Sequence, residues 1–109
     1  MTTENNDNEV TEYNLYRDNQ RALAFKGKTL VVQDTRDHSS TRWTKCAVYE
    51  TDKGAYVVGQ ARMTQWQGEK DSYSAEVLKT LDEVVDFIEE QVPELAASIA
   101  SRLDVKEEI

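Results

Sequence analysis

The stretch from Arg42 to Trp66 constrains the fold more than any other. Arg42–Glu50 and Ala55–Trp66 are rich in β-forming residues, and Thr51-Asp52-Lys53-Gly54 between them is a turn with glycine where positive φ is wanted. A two-stranded ribbon is marginal alone in water, so this hairpin needs further strands or a covering helix. The neighbouring sequence offers both. Tyr13–Tyr16 reads as a short strand. Arg21–Phe25 and Thr29–Gln33 are apolar runs around Lys26-Gly27-Lys28, which reads as another hairpin with Gly27 in its turn. Asp34–Ser40 is a loop by composition, Gln67–Asp71 a turn, and Tyr73–Lys79 a last strand. Short links join all of these, so the expected sheet is an antiparallel meander of about five strands.

If the central turn pairs Tyr49 with Val57, strand alternation assigns two faces. One carries Trp43, Ala47, Tyr49, Val57, Gly59, Ala61 and Met63. It is small and apolar enough to lie under a helix. The other carries Thr44, Cys46, Val48, Val58, Gln60, Arg62, Thr64 and Trp66, a mixed set suited to solvent.

The last third is helical. Thr80-Leu81-Asp82-Glu83 has capping-box spacing, with Thr80 as N-cap and Glu83 reaching back. Leu81, Val84, Val85, Ile88 and Val92 repeat at the helical period, widened by Phe87. Pro93 closes this helix and suits the first position of the next, expected over about 94–104 with Leu95, Ala96, Ile99, Ala100 and Leu103 inward. The expected fold is α+β: the meander with one face covered by two C-terminal helices. Residues 12–105 form the single domain. Residues 1–11 are too polar and acidic to bury and read as a disordered tail, and 106–109 as a frayed end.

Charge is laid out unevenly. Residues 1–20 sum to −4, residues 21–68 to +4 and residues 69–109 to −8, which is also the total for the chain. The excess concentrates in the first helix. Every non-apolar position before Gln91 is acidic: Asp82, Glu83, Asp86, Glu89 and Glu90. Asp82/Asp86 and Asp86/Glu90 are like-charged i,i+4 pairs. Glu89 and Glu90 lie at the negative end of the helix dipole, where a cation would stabilise. A row of this kind is either a solvated face or a surface kept for a basic partner.

Several chemistries lack their parts. No apolar run approaches the ~18 residues of a membrane span. The start of the chain has neither the basic and apolar segments of a secretory signal nor the character of a transit peptide, and a lone Cys46 forms no internal disulfide. The expected location is therefore the cytoplasm. One His and one Cys fall short of the about four ligands of a structural zinc site. The glycines are too scattered for a phosphate loop. Cys46 with His38 as base and Asp34 or Asp37 as orienting group is the strongest nucleophile candidate, and Asp34, Asp37 and His38 carry the donor types of a metal site. Triad geometry is stringent and such donors are common in loops, so both read as an ordinary strand cysteine and a solvated loop. No metal, cofactor or enzymatic activity is expected.

The segments Tyr16-Arg17, Ala22–Leu30, Arg42-Trp43-Thr44, Val48–Thr51, Gly54–Val58 and Thr64–Tyr73 together resemble small uncharacterised bacterial proteins associated with mobile or accessory DNA. The likeness covers about residues 13–90, and Thr-Gln-Trp-Gln-Gly-Glu is its most specific part. It implies a bacterial setting and an accessory role such as inhibitor, immunity protein or antitoxin. It implies no activity, cofactor or catalytic residue.

The expectation is a non-enzymatic protein that binds a basic partner through Asp82, Glu83, Asp86, Glu89 and Glu90. Trp66 or Tyr73, flanking the glycine turn, supplies an aromatic anchor. The alternative is a nucleic-acid-binding sheet face made of Arg42, Thr44, Gln60, Arg62 and Trp66, opposed by the net negative charge.

Overall fold

Chain order becomes spatial order. In the computed structural model, which describes residues 10–106, five strands lie side by side as β1-β2-β3-β4-β5, every neighbouring pair antiparallel. They are β1 (Thr11–Leu15), β2 (Leu23–Asp34), β3 (Arg42–Thr51), β4 (Tyr56–Thr64) and β5 (Ser72–Leu78), followed by helices α1 (Leu81–Gln91) and α2 (Pro93–Arg102). The α+β meander with two C-terminal helices is the fold. The acidic N-terminal segment falls outside the described residues up to residue 9, and Thr11 already belongs to β1. Of the end read as frayed, only Lys106 is described.

The central hairpin has the register read from the turn, with Tyr49 opposite Val57 and Trp43 opposite Met63. Gly54 has φ 87°, and the Thr51 hydroxyl accepts the Lys53 and Ala55 amides, so side chain and glycine close the turn together. The faces, however, are reversed. Helices cover the Cys46/Val48/Val58/Gln60 side. Val31, Cys46, Val48 and Val58 meet Val84, Ile88, Val92, Leu95, Ala96 and Ile99 in one buried cluster. Slim β-branched side chains make a surface that two helices can approach. The bulky Trp43, Tyr49 and Met63 need another cover. A bulge between Thr29 and Val31 adds an extra residue, and Leu30 also packs against the helix-side cluster.

Gly27 does not reverse the chain as the apolar runs on either side of it predict. It makes no turn and lies inside the twelve-residue β2, buried, at the point where three strands meet: it pairs with both Thr11 and Thr51. A Cβ there would stand 2.1 Å from the Glu50 carbonyl oxygen. The glycine thus permits close backbone approach rather than chain reversal. The reversal comes earlier, between β1 and β2, where Asn19 takes φ 62°. Leu23–Lys26 extend beyond β3 and pair only with β1, and this overhanging ribbon curls onto the face away from the helices. Leu15 lies over Gly59, and Asp18 exchanges hydrogen bonds with Tyr73 at the far edge of the sheet.

The helices start and stop as their sequences dictate. The Thr80 hydroxyl accepts the Glu83 amide at 3.1 Å, and the Glu83 carboxylate accepts the Lys79 amide at 2.9 Å, one residue beyond an ideal capping box. Val92 ends α1 and opens α2, with Pro93 in its first turn. Val84, Val85, Ile88, Leu95, Ala96 and Ile99 form the buried stripes.

Candidate functional site

The periodicity that buries Val84, Val85 and Ile88 turns the remaining α1 positions outward. Asp82, Glu83, Asp86, Glu89 and Glu90 are all exposed. Among the described residues none of the five forms an ion pair, and the last turn holds no base. Glu83 is occupied in capping; the other four have no side-chain hydrogen bond. Elsewhere Glu12 pairs with Lys26, Glu50 with Lys28, Glu69 with Arg42 and Asp104 with Lys106, and the Asp18, Asp34, Asp37 and Asp71 carboxylates accept hydrogen bonds, whereas Asp52, Glu76 and Glu94 stand singly without a side-chain partner among the described residues. On one short element the helix row gathers five acids without an ion pair among the described residues.

Trp66 is 52% exposed, on the turn after β4. That turn is tied down from within. The Arg42 guanidinium grips both Glu69 carboxylate oxygens, the Thr64 hydroxyl donates to Glu69 at 2.6 Å, and Asp71 accepts the Thr64 amide at 2.9 Å. The Arg42 and Thr64 hydrogen bonds hold the Glu69 carboxyl below its ordinary range. Arg42 also lies 5.9 Å from the Trp66 ring. The result is a rigid turn presenting one indole. Tyr73 stands elsewhere, on the face opposite the helices, half-buried with its ring edge-on to Tyr16 at 5.5 Å. The structure therefore does not join Tyr73 to the acid row.

The nucleic-acid set does not make an open platform. Gln60 is 6% exposed beneath the helix layer, its Oε1 without a partner. Arg42 is committed to Glu69, and Thr44 is half-buried. Only Arg62 and Trp66 of this set present themselves freely. Cys46 is 1% exposed on the covered face, and burial pushes its thiol up to about 11. His38 is in the exposed loop after β2, where Asp37 binds Ser39 and Ser40 instead. The two have no shared setting for nucleophilic chemistry. Among the described residues no three ligand-type side chains gather around a metal position.

With β2 continuous, Tyr13, Phe25 and Tyr49 fall on the same face and stack at 4.9–5.4 Å. They roof a concave surface floored by Ala47, Val57, Gly59 and Ala61, with a hollow of about 650 Å³ reaching Val57 and Val77 and another of about 520 Å³ reaching Met63 and Tyr73. Burial of the Tyr49 phenol pushes its pKa up. No helix here is long and apolar enough to cross a membrane, among the described residues. Comparison of the chain with protein-family models, with curated proteins and with solved structures gives no match, so the surfaces themselves carry the functional reading.

Proposed function

We propose that this chain is a non-enzymatic binding protein whose α1 face docks on a basic protein surface, in the manner of an inhibitor, immunity protein or antitoxin. One observation carries the reading: five outward carboxylates on a short helix, unpaired among the described residues, with two of them at the wrong end of the dipole. Such a row costs helix stability, and a basic partner would convert the cost into steering and orientation. Trp66, held on its stapled turn, is the exposed aromatic available as an anchor.

The test is a triple charge reversal, Asp86→Lys with Glu89→Lys and Glu90→Lys, compared with the parent by cross-linking in a host extract at low and high salt. A single basic protein captured by the parent, lost with salt and lost in the variant, supports the proposal. Equal capture by both chains, or capture indifferent to salt, overturns it. Circular dichroism must show the same helix content in both.

A further inference from the structure

We infer that the hollow bounded by Leu15, Met63 and Lys45 on the concave sheet face is a binding site for a small planar aromatic carboxylate. The site lies on the face away from α1 and is independent of its acids.

The cover of this face is incomplete. The Tyr13, Phe25 and Tyr49 rings close one end, and Leu15 reaches Gly59. On the other side of that contact an open hollow of about 520 Å³ runs over Val32, Ala47 and Ala61 as far as Met63 and Tyr73. Val32 and Tyr16 in its lining are 54% and 63% exposed, two of the five large hydrophobic side chains left open among the described residues. Uncovered apolar surface in a concavity of this size is the ordinary setting of a small-molecule site.

The shape selects a flat body. Ala47 stands opposite Gly59 across β3 and β4, and Ala61 follows on the same face, so no side chain of this part of the floor is longer than a methyl. Tyr16, Tyr49 and Tyr73 border the hollow, and the Tyr16 and Tyr73 rings meet edge-on at 5.5 Å. A floor of methyls between aromatic walls accepts a planar ring better than a branched body.

The charge selects one anionic group. Lys45 is the only charged residue of the lining. It is exposed and has no ion pair among the described residues. Asp34 pairs with it in register across β2 and β3, but Asp34 Oδ1 accepts the Arg36 amide at 3.0 Å. Asp18 Oδ2 accepts the Tyr73 amide. Arg36 lies 4.0 Å over the Trp43 ring, which adds a second cation at this end of the face. The Tyr13 hydroxyl is bonded to Thr29, whereas those of Tyr16, Tyr49 and Tyr73 have no hydrogen-bond partner among the described residues. A carboxylate would pair with the Lys45 ammonium while its ring displaced water from the alanine floor.

The test titrates 2-naphthoate into the isotope-labelled full chain and follows the Ala47, Ala61 and Met63 methyl signals by NMR. The neutral equivalent is 2-naphthamide. The acid should shift these methyls and bind about fivefold more tightly than the amide, the share an exposed ion pair supplies. Lys45→Met, which keeps an unbranched stem, should remove that preference and leave the amide unchanged. Ala61→Leu, which fills the floor, should abolish binding of both. Lys45 is exposed, so its variant decides the matter even if Ala61→Leu fails to fold. No shift at millimolar 2-naphthoate overturns the inference. Equal affinity for acid and amide overturns it, as does a preference that survives Lys45→Met. Shifts centred instead on Val57 and Val77, in the neighbouring hollow, overturn it as well. Shifts of the same methyls with protein concentration alone, with a dimer in sedimentation, would give the face to a second copy of the chain and overturn it too.

Discussion

The two faces of the sheet are covered by opposite means. On one, Val31, Cys46, Val48 and Val58 lie under two helices and are sealed. On the other, aromatic rings roof the surface through a ribbon of the sheet itself and leave space beneath. The difference follows from side-chain shape. Slim residues give helices a flat bed, while Tyr13, Phe25 and Tyr49 stand tall and fill space only against each other. Stability should therefore reside on the helix side and adaptability on the other.

The sharpest way to break that contrast is truncation. Ile88→Ala in the sealed layer should cost about 4 kcal/mol by chemical denaturation, since it opens a cavity among fully buried neighbours. Val77→Ala on the concave side, 51% exposed, should change stability by less than about 0.5 kcal/mol. Equal losses would show that the concave face is as tightly packed as the other. Gly27→Ala should cost about 3 kcal/mol, because the new methyl meets backbone at 2.1 Å and no flexible side chain can give way. A mild effect in the same denaturation series would mean that the seam between the two covers is loose.

Gly27 also shows where sequence reading fails. The antiparallel meander, the Tyr49–Val57 register, the Thr80 cap and the Pro93 junction were legible because each is a local pattern with a local cause. A glycine between two apolar runs looks the same whether the chain reverses or passes close to another backbone. Only the strand beyond it, with Glu50 and Thr51 alongside, distinguishes the two cases. The face assignment failed for a related reason: the Cys46/Val48/Val58 face is mixed in composition and suits solvent when read alone, and the deciding fact was the non-local curl that brings Leu15 over Gly59. On the candidate site, the acid row was fully legible, since helical periodicity alone exposes it. The aromatic roof was not, because it depends on an unbroken β2.

Cys46 offers a pH probe of the sealed side. Its folded pKa, about 11, stands above the ordinary thiol value of 9.0 because burial disfavours the thiolate. A raised folded pKa gives stability that is present below the unfolded pKa and lost as pH climbs through the folded one. The thiol should then cost on the order of 2 kcal/mol of stability between about pH 9 and 11, and Cys46→Ala should remove that share of the slope, leaving the share of the half-buried Tyr49 phenol. An aromatic disulfide reagent at pH 8 should leave the thiol unreacted in the folded chain. Rapid labelling would show that the helix layer opens readily.

Gln60 is the one buried polar side chain of the described residues, and its unpartnered Oε1 is a flaw in the sealed layer. Gln60→Leu or Gln60→Met should stabilise by about 1 kcal/mol, measured as a higher denaturation midpoint at unchanged slope. A loss instead would mean that the amide is bonded in solution, through water, and that this face is less dry than its neighbours make it.

The smallest expected effect bears on function most directly. Glu89→Lys and Glu90→Lys place cations at the C-terminal end of α1, where none stands now, and relieve the repulsion between Asp86 and Glu90. Each should raise stability by about 0.3–1 kcal/mol at low salt, with the gain shrinking as salt is added. A chain with its acids there for solubility alone would gain stability and lose nothing by the exchange. A chain that docks through them would gain the same stability and lose its partner. Thermal unfolding and partner capture on the same variants therefore separate a solvated face from a binding face: a stability gain without a binding loss removes the acid row from the functional surface, whereas the two together show what the unfavourable charges are kept for.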